Sequence, residues 1–373
     1  MKTEIITENI AAAAEIIRSG GLVAVPTETV YGLAGNGLDE TAVNNIYEVK
    51  GRPSVKPLSL MVPGKAAMQK YCDDIPEEAE ILADKFWPGP LTIVLKAKNI
   101  VPEIVRAGGS TVGLRCPDHP MTLKLLELAE LPFAAPSANP SGSASPKNAD
   151  EVMKYFTGKI PAVVDGGQCG IGMESTLIDM SSRPFKILRQ GALSERDIAQ
   201  VLADNMETVG ITGGTGCGKT TALEVLKNMG ALVLDCDEIY HRLLADSEEM
   251  NSELAAAFPQ AIVNGKIDRK TLGAVVFNDE AALRKLNEIT HRYVKNEVHS
   301  RLRNWAMQGG SLAALDAIEL IGSGLADECK ITFAVTADRE TQIERIMARE
   351  GISREYASLR VDAQHSGEYF EKN

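Results

Sequence analysis

Residues 211–223 read ITGGTGCGKTTAL, and Gly213 to Thr220 fit the spacing G-x-x-x-x-G-K-[ST]. That spacing builds an anion cradle. Gly213, Gly214, Gly216 and Gly218 let backbone N–H groups turn inward. Lys219 then reaches the outer phosphates of a nucleoside triphosphate, the hydroxyl of Thr220 can ligate Mg²⁺, and Thr221 completes the nucleotide-binding set. Asp235 and Asp237 follow, two apart in LDCDE. Such a pair serves as a base for an incoming hydroxyl or as metal ligands, and Asp237 equally fits the N-cap of the helix after it. Gln342, Arg345 and Arg349 keep the spacing Q-x-x-R-x-x-x-R. Arginines at i and i+4 share a helix face, where they can meet transferring phosphates or simply form a solvated charged face.

The first half has no motif so compact. Its candidates are five scattered cations, Lys50, Arg52, Lys56, Arg115 and Arg189, each near the end of an element. If they converge, they suit a polyphosphate together with a carboxylate. Ser137, Asn139, Ser175 and Thr176 offer hydroxyls and an amide to orient a nucleotide. Taken singly, Ser137 and Asn139 read as turn residues, because P-S-A-N-P is turn chemistry.

These residues need elements to hold them. TVGI (208–211) is a short β-branched run, and 220–230 carries helical periodicity to a stop at Gly230. Strand, glycine loop and helix is the context the first motif requires. ALVL (231–234) reads as a buried strand that delivers Asp235 and Asp237 to its C-terminal end, the ligand-binding edge of a parallel sheet. LAALDA (312–317), with Asp316, and ITFAV (331–335) are further strands. In the first half, 8–20 and 40–52 read as helices, and 27–39 as a loop with several glycines. The runs 22–26, 58–63, 91–97, 111–117, 162–167, 175–180 and 185–191 read as strands, and 132–146 starts as a strand before becoming a Pro/Ser loop. A helix at 194–206 leads almost directly into the next strand, with no long Gly/Ser/Pro linker.

At 373 residues, two domains are the natural expectation, 1–206 and 207–373, both α/β. Residues 1–206 carry 20 Lys+Arg against 25 Asp+Glu, and residues 207–373 carry 19 against 26. Neither half is basic, so broad nucleic-acid binding through phosphate neutralisation is not expected. No apolar run approaches the ~20 residues of a membrane span. Glu4 and Glu8 stand where an export signal would be basic and then apolar. The 6 cysteines form no C-x-x-C pair, which points to reduced thiols in a cytoplasm rather than a disulfide framework.

The stretch 208–364 resembles dephospho-coenzyme A kinase, a P-loop kinase with a parallel α/β sheet. The resemblance rests on T-G-G-x-G-x-G-K-[ST]-T, on D-x-D, on NGKIDRKTLGAVVF (264–277), on ITH (289–291) and on the lid signature at Gln342, Arg345 and Arg349. It implies transfer of the γ-phosphate of ATP to the 3′-hydroxyl of dephospho-CoA. Asp237 would be the base, Asp235 would be near the substrate, Asp316 and Thr220 near Mg²⁺, and Lys219 and the lid arginines on the phosphates. Two departures stand out. Where many members have P-L-L-F-E, this chain has IELIG (318–322), with Gly322 in the Glu position. Members also continue beyond the point where this sequence stops, Asn373, with a strand and a closing helix, so an open sheet edge is expected. A different or degenerate P-loop kinase is the alternative.

In the first half, PTETVYGL, KGRP, KPLSLMV, WPGPLT, GLRCP, PSANPSG and ESTLID occur in order. This pattern resembles the YrdC/Sua5 family of threonylcarbamoyl-adenylate synthases, which have a twisted open α/β sheet. The resemblance implies that L-threonine, bicarbonate and ATP become threonylcarbamoyl-AMP and pyrophosphate, for t⁶A modification of tRNA adenosine 37. The family's K-x-R…S-x-N set is Lys50, Arg52, Ser137 and Asn139, and Arg189 would join them on the phosphates. Arg115, or the Thr27, Thr29 and Tyr31 loop, would hold threonine, with Lys56 and Thr176 nearby. A role chiefly in RNA binding is the alternative; the acidic balance speaks against it, so tRNA is expected to be met by partner proteins of the pathway.

Overall fold

The structure, a computed structural model, describes residues 2–263, 265–277, 279–364 and 369–370. Asn264, which opens the 264–277 stretch, and Asn373 lie outside the described residues. The chain divides into two compact units, Met1–Leu202 with Met307–Gly309, and Ala203–Ala306 with Gly310–Asn373.

The first unit is built on one mixed sheet. Its strands are β1 (Glu4–Ile6), β2 (Val23–Val25), β3 (Gly32–Asn36), β4 (Ser59–Met61), β5 (Cys72–Asp73), β6 (Leu91–Ala97), β7 (Thr111–Arg115), β8 (Phe133–Ala134), β9 (Ala162–Val164), β10 (Thr176–Asp179) and β11 (Lys186–Arg189). They run in the order β1-β9-β2-β3-β8-β4-β7-β6-β10-β11, with β5 on β6. Val23, Ala24 and Val25 are buried on both faces, as expected of a strand with both sides covered. One cover is the helix Ile10–Arg18, whose Ala13, Ala14 and Ile17 pack with Leu125, Leu126 and Ala129 of the helix Pro120–Ala129 and with Val23, Val25 and Phe133. Asn9 caps the first helix, accepting from the Ala12 N–H, a cap of about 1 kcal/mol.

One expectation fails. The glycine-rich stretch 27–39 is not all loop, because Gly32–Asn36 is β3, paired antiparallel with β2 and β8. Its glycines serve packing rather than turning. A Cβ on Gly35 would meet Leu22 Cδ2 at 2.8 Å, and one on Gly32 would meet Met61 Cε at 3.1 Å. Glycine in a strand often marks such close approach.

The second unit has a parallel sheet and a helical body. Its strands are β12 (Glu207–Thr212), β13 (Leu232–Asp235), β14 (Ile262–Val263), β15 (Lys266–Ile267), β16 (Leu312–Asp316) and β17 (Ile331–Ala334). The order β13-β16-β12-β17 is parallel throughout, and β14 and β15 form a separate hairpin. Asp316 is in register with Asp235 on one side and Ile211 on the other. The three strand ends therefore open on one edge, where the glycine loop begins. Among the described residues β17 is an edge strand, and its Ile331 and Phe333 are each 50% exposed. A second core gathers Met250, Leu254, Phe258, Leu272 and Ile289. The helices Arg339–Glu350 and Arg354–Asp362 meet through Ile343, Ile346 and Ala357. No helix among the described residues is long and apolar enough to cross a membrane, and all six cysteines are free thiols.

Candidate functional site

Each unit carries a site. In the first, a cavity of about 230 Å³ is lined by Tyr31, Arg52, Arg115, Ser137, Ser175 and Arg189, joined by Glu174, Ser59 and Thr92. Local structure delivers these groups. The helix Glu40–Lys50 starts on Asp39, which accepts from the Thr41 N–H, and ends at Gly51, whose φ of 58° reverses the chain. Lys50 thus sits on the last turn and is only 3% exposed. Its ammonium donates to the carbonyl oxygens of Ser137 and, at 2.6 Å, Asn139. Burial, with the Arg52 charge beside it, brings Lys50 down to about 8. Asn139 donates to the Ser143 carbonyl at 2.7 Å, while its own Oδ1 is buried without a hydrogen-bond partner. Arg52 donates to the Pro57 carbonyl at 3.0 Å, and burial lowers its pKa.

Arg115 ends β7 and forms a buried ion pair with Glu28 at 2.7 Å, also donating to the Thr29 hydroxyl at 2.7 Å. Arg189 ends β11, pairs with Glu174, and donates to the Ser175 carbonyl at 2.8 Å and hydroxyl at 3.1 Å. Glu174 also accepts from Ser145 at 3.0 Å. Four cations thus converge against two carboxylates, leaving excess positive charge for an anionic ligand.

Other sequence candidates face elsewhere. Lys56 is exposed and does not line the cavity. Thr176 accepts from the Gly191 and Leu193 N–H groups at 3.0 Å each and donates to the Leu193 carbonyl, so it fixes the chain after β11. Thr27 accepts from the Thr29 and Val30 N–H groups and donates to the Val30 carbonyl, which closes a turn. Tyr31 reaches the cavity, yet its hydroxyl donates to the Gly167 carbonyl at 2.8 Å, and burial pushes its pKa far up. Glu28 and Glu174 are the groups that sequence reasoning missed. For Glu28 the signal was electrostatic, because the buried Arg115 needs a buried partner; the Arg189–Glu174 pair is largely exposed.

In the second unit, Gly213, Gly216 and Gly218 have φ of 131°, 83° and 102°, a region closed to most side chains. Gly214 lies between them, and the helix Lys219–Asn228 starts directly after Gly218. Thr220 and Thr221 are exposed on its first turn. Lys219 Nζ donates to the Gly213 carbonyl at 2.8 Å and lies 4.0 Å from Asp316 Oδ1. Arg345 donates to the carbonyls of Gly216 and Cys217 at 3.1 Å each. Arg349 instead pairs with Glu350 at 2.7 Å on the surface.

The two aspartates divide their work. Asp235 is the N-cap of the helix Cys236–Asp246, its Oδ1 accepting from the Glu238 N–H at 2.9 Å. Asp237 lies inside that first turn and is not the cap. Burial raises its pKa, Asp235 adds to the rise, and Lys219 opposes it. Asp316 is pushed up to about 6 by burial, with Lys219 pulling it back and the two aspartates pushing it further. Among the described residues no three His, Cys, Asp or Glu groups gather as a metal cage. A Mg²⁺ that travels with phosphates needs only one or two carboxylates. Asp316 Oδ1, buried with no hydrogen-bond partner, and the Thr220 hydroxyl fit that need.

Comparison with known proteins agrees with this division. The Sua5/YciO/YrdC family model, described as telomere recombination, matches residues 15–191, and the CoaE model, dephospho-CoA kinase, matches residues 207–372. A threonylcarbamoyl-AMP synthase of Pyrococcus abyssi is 49% identical over 52% of this chain and 57% of its own length. A putative one of Methanocaldococcus jannaschii is 37% identical over 49% of this chain and 86% of its own. A dephospho-CoA kinase of Geobacter sulfurreducens is 36% identical over 43% of this chain and 82% of its own. The solved structure of P. abyssi Sua5 complexed with L-threonine aligns with TM-score 0.52 and 30% identity, over 89% of this chain and 100% of that one. The chain spans little more than half the length of the P. abyssi and Bacillus subtilis synthases, 57% and 56%. With side-chain cations around one cavity and a backbone phosphate cradle on a parallel sheet, the chain belongs to the threonylcarbamoyl-AMP synthase family through its first half and to the dephospho-CoA kinase family through its second.

Proposed function

We propose that the chain is a bifunctional cytoplasmic enzyme with two ATP-using domains, 1–206 and 207–373. The first makes threonylcarbamoyl-AMP from L-threonine, bicarbonate and ATP, for t⁶A formation at tRNA position 37. The observation that carries this reading is the convergence of Arg52, Arg115 and Arg189 on one cavity, with Lys50 held at its edge by the Ser137 and Asn139 carbonyls, in a member of the synthase family. The threonine amine takes up bicarbonate carbon as a carbamate, with loss of water. A carbamate oxygen attacks the α-phosphorus, and pyrophosphate leaves. Lys50, Arg52 and Arg189 neutralise the phosphates, Ser137, Asn139 and Ser175 orient the nucleotide, and Arg115 with Thr29 and Tyr31 borders the threonine. No side chain is needed as a nucleophile, and catalysis rests on proximity and preorganised charge. The acidic balance of this half leaves tRNA to other proteins of the pathway.

The second domain transfers the γ-phosphoryl of ATP to the 3′-hydroxyl of dephospho-CoA. Here the carrying observation is Asp237, on the first turn after the β13 strand end, within the field of Lys219 and lining a cavity of its own. Asp237 accepts the hydroxyl proton, a task suited by a carboxylate of raised basicity. Lys219 and Arg345 stabilise charge on the transferring group. Mg²⁺ would be held by Thr220 and Asp316 and would supply charge neutralisation at the phosphates.

One ³¹P NMR experiment tests both. With Mg²⁺-ATP and dephospho-CoA, a 3′-phosphate and ADP arise together. With threonine and bicarbonate, pyrophosphate arises. Failure of either product to form removes that activity from the proposal.

A further inference from the structure

The glycine loop meets more than the helix that follows it. Gln364 stands two residues beyond the helix Arg354–Asp362 and turns its carboxamide onto the loop. Its Oε1 accepts from the Thr215 N–H at 2.6 Å. Its Nε2 donates to the Thr215 hydroxyl at 3.1 Å and to the Arg360 carbonyl at 3.0 Å. Both ends of the amide are thus engaged. A carboxylate in its place would still accept from the N–H but would have nothing to donate to the Arg360 carbonyl, so this contact asks for glutamine.

Gly214 is a second, independent observation. Of the four glycines in the loop, it alone lacks a positive φ, so backbone conformation does not require glycine there. Space does. A Cβ on Gly214 would fall 2.7 Å from Gln364 Oε1. Gly216 is crowded in the same way, since a Cβ there would lie 2.8 Å from the carbonyl oxygen of Gln342, on the helix Arg339–Glu350. The loop is shaped to seat these two helices as well as a phosphate.

The helices form one piece. They share the core of Ile343, Ile346 and Ala357, and Arg339 of the first pairs with Asp362 of the second at 2.7 Å. The first helix carries Arg345, whose Nη1 donates to the Gly216 and Cys217 carbonyls. Phosphates in the loop attract that guanidinium away from the carbonyls, because a bond between two charged groups is the stronger one. Arg345 therefore cannot both serve the phosphates and hold the helices down.

Resting on the kinase reading above, we propose that Gln364 is a positioning residue for phosphoryl transfer. Its neutral clamp on Thr215 keeps the helix pair seated on the loop while Arg345 turns to the transferring phosphate, and Gly214 leaves the clamp its place.

The test is a set of double-variant cycles on dephospho-CoA phosphorylation by the full chain. Rates are expressed per kinase site titrated with ADP, so the folded fraction does not enter. Gln364→Ala lowers kcat about tenfold and leaves KM for ATP within about twofold, as loss of placement rather than of binding requires. Gln364→Ala/Arg345→Ala is within about twofold of Arg345→Ala alone, because each change removes the same placement. Gly214→Ala displaces the carboxamide from the loop side. It lowers kcat to a similar extent in the unaltered chain and adds nothing in the Gln364→Ala chain, where its methyl has room. An unchanged kcat in Gln364→Ala, a loss carried by KM for ATP, or losses that multiply with that of Arg345→Ala overturn this inference alone. A Gly214→Ala loss that is the same with and without Gln364 overturns the part given to Gly214. An unaltered chain that binds ADP and phosphorylates no dephospho-CoA overturns the kinase reading and this inference with it.

Discussion

The two units handle phosphate by opposite means. In the second, the cradle is backbone: three glycines at positive φ turn amide groups inward, and one lysine leans over them. In the first, the cradle is side chains, with Arg52, Arg115 and Arg189 lining the cavity, Lys50 bound to the Ser137 and Asn139 carbonyls beside it, and the four arriving from three separate stretches of the sequence. A backbone cradle is local and needs only a strand before it and a helix after it. A side-chain cradle depends on the whole sheet to bring its parts together. It also needs counter-charges to hold its cations in place: Glu28 pairs with the buried Arg115, and Glu174 with the more exposed Arg189.

The comparison can be broken at its strongest points first. Lys219→Ala lowers dephospho-CoA phosphorylation by roughly 10³-fold and leaves threonine-dependent pyrophosphate release unchanged, both read by ³¹P NMR. Asp237→Asn costs on the order of 10²-fold in kcat with little change in KM for ATP, as loss of a general base requires. Lys50→Met reduces pyrophosphate release by roughly tenfold to a hundredfold and spares the kinase. In the unaltered chain, KM for ATP in that reaction rises as pH passes through about 8, where the Lys50 ammonium gives up its proton. Arg345→Ala slows the kinase about tenfold, while Arg349→Ala, whose partner is Glu350, has a smaller effect; steady-state rates of the two variants decide this.

The smallest effect is one of stability. The folded-state pKa of Asp316, about 6, lies above its ordinary 3.8. The folded chain therefore binds this proton more tightly than the unfolded chain. The stability linked to that proton is complete below about pH 4 and is lost as pH rises through 6. Asp316→Asn accordingly stabilises the kinase unit by on the order of 1–2 kcal/mol at pH 8 and not at pH 4, seen as a higher melting temperature at pH 8 alone. Differential scanning calorimetry at the two pH values measures it.

What could be read in the sequence follows the same divide. The glycine loop, its strand and its helix were legible because spacing alone specifies them. The sheet edge that carries Asp235, Asp237 and Asp316 followed from apolar runs ending in carboxylates. The choice of cap was not legible, because either aspartate suits a helix start, and only the backbone path assigns Asp235 to it. In the first unit the cations were visible as element ends, yet their convergence was not. Thr27 and Thr176 carry the right chemistry but turn it toward nearby backbone. The strand β3 was hidden because glycine marks turns and tight packing alike. Glu28 and Glu174 sit in quoted motifs and attract notice only once the fold places them against Arg115 and Arg189.

The central place of β12 has a consequence for exchange with solvent. Both of its edges are hydrogen-bonded, to β16 on one side and β17 on the other. Amide hydrogens at 209–211 should therefore be among the slowest in the second unit to exchange for deuterium, reporting its global opening. A few residues on, the amides of the glycine loop have no strand to protect them; Thr215 N–H is held by Gln364 Oε1 at 2.6 Å, and its neighbours should exchange quickly until a phosphate accepts their hydrogen bonds. One short peptide spanning 207–220 would then record both global unfolding and nucleotide occupancy, on widely separated timescales.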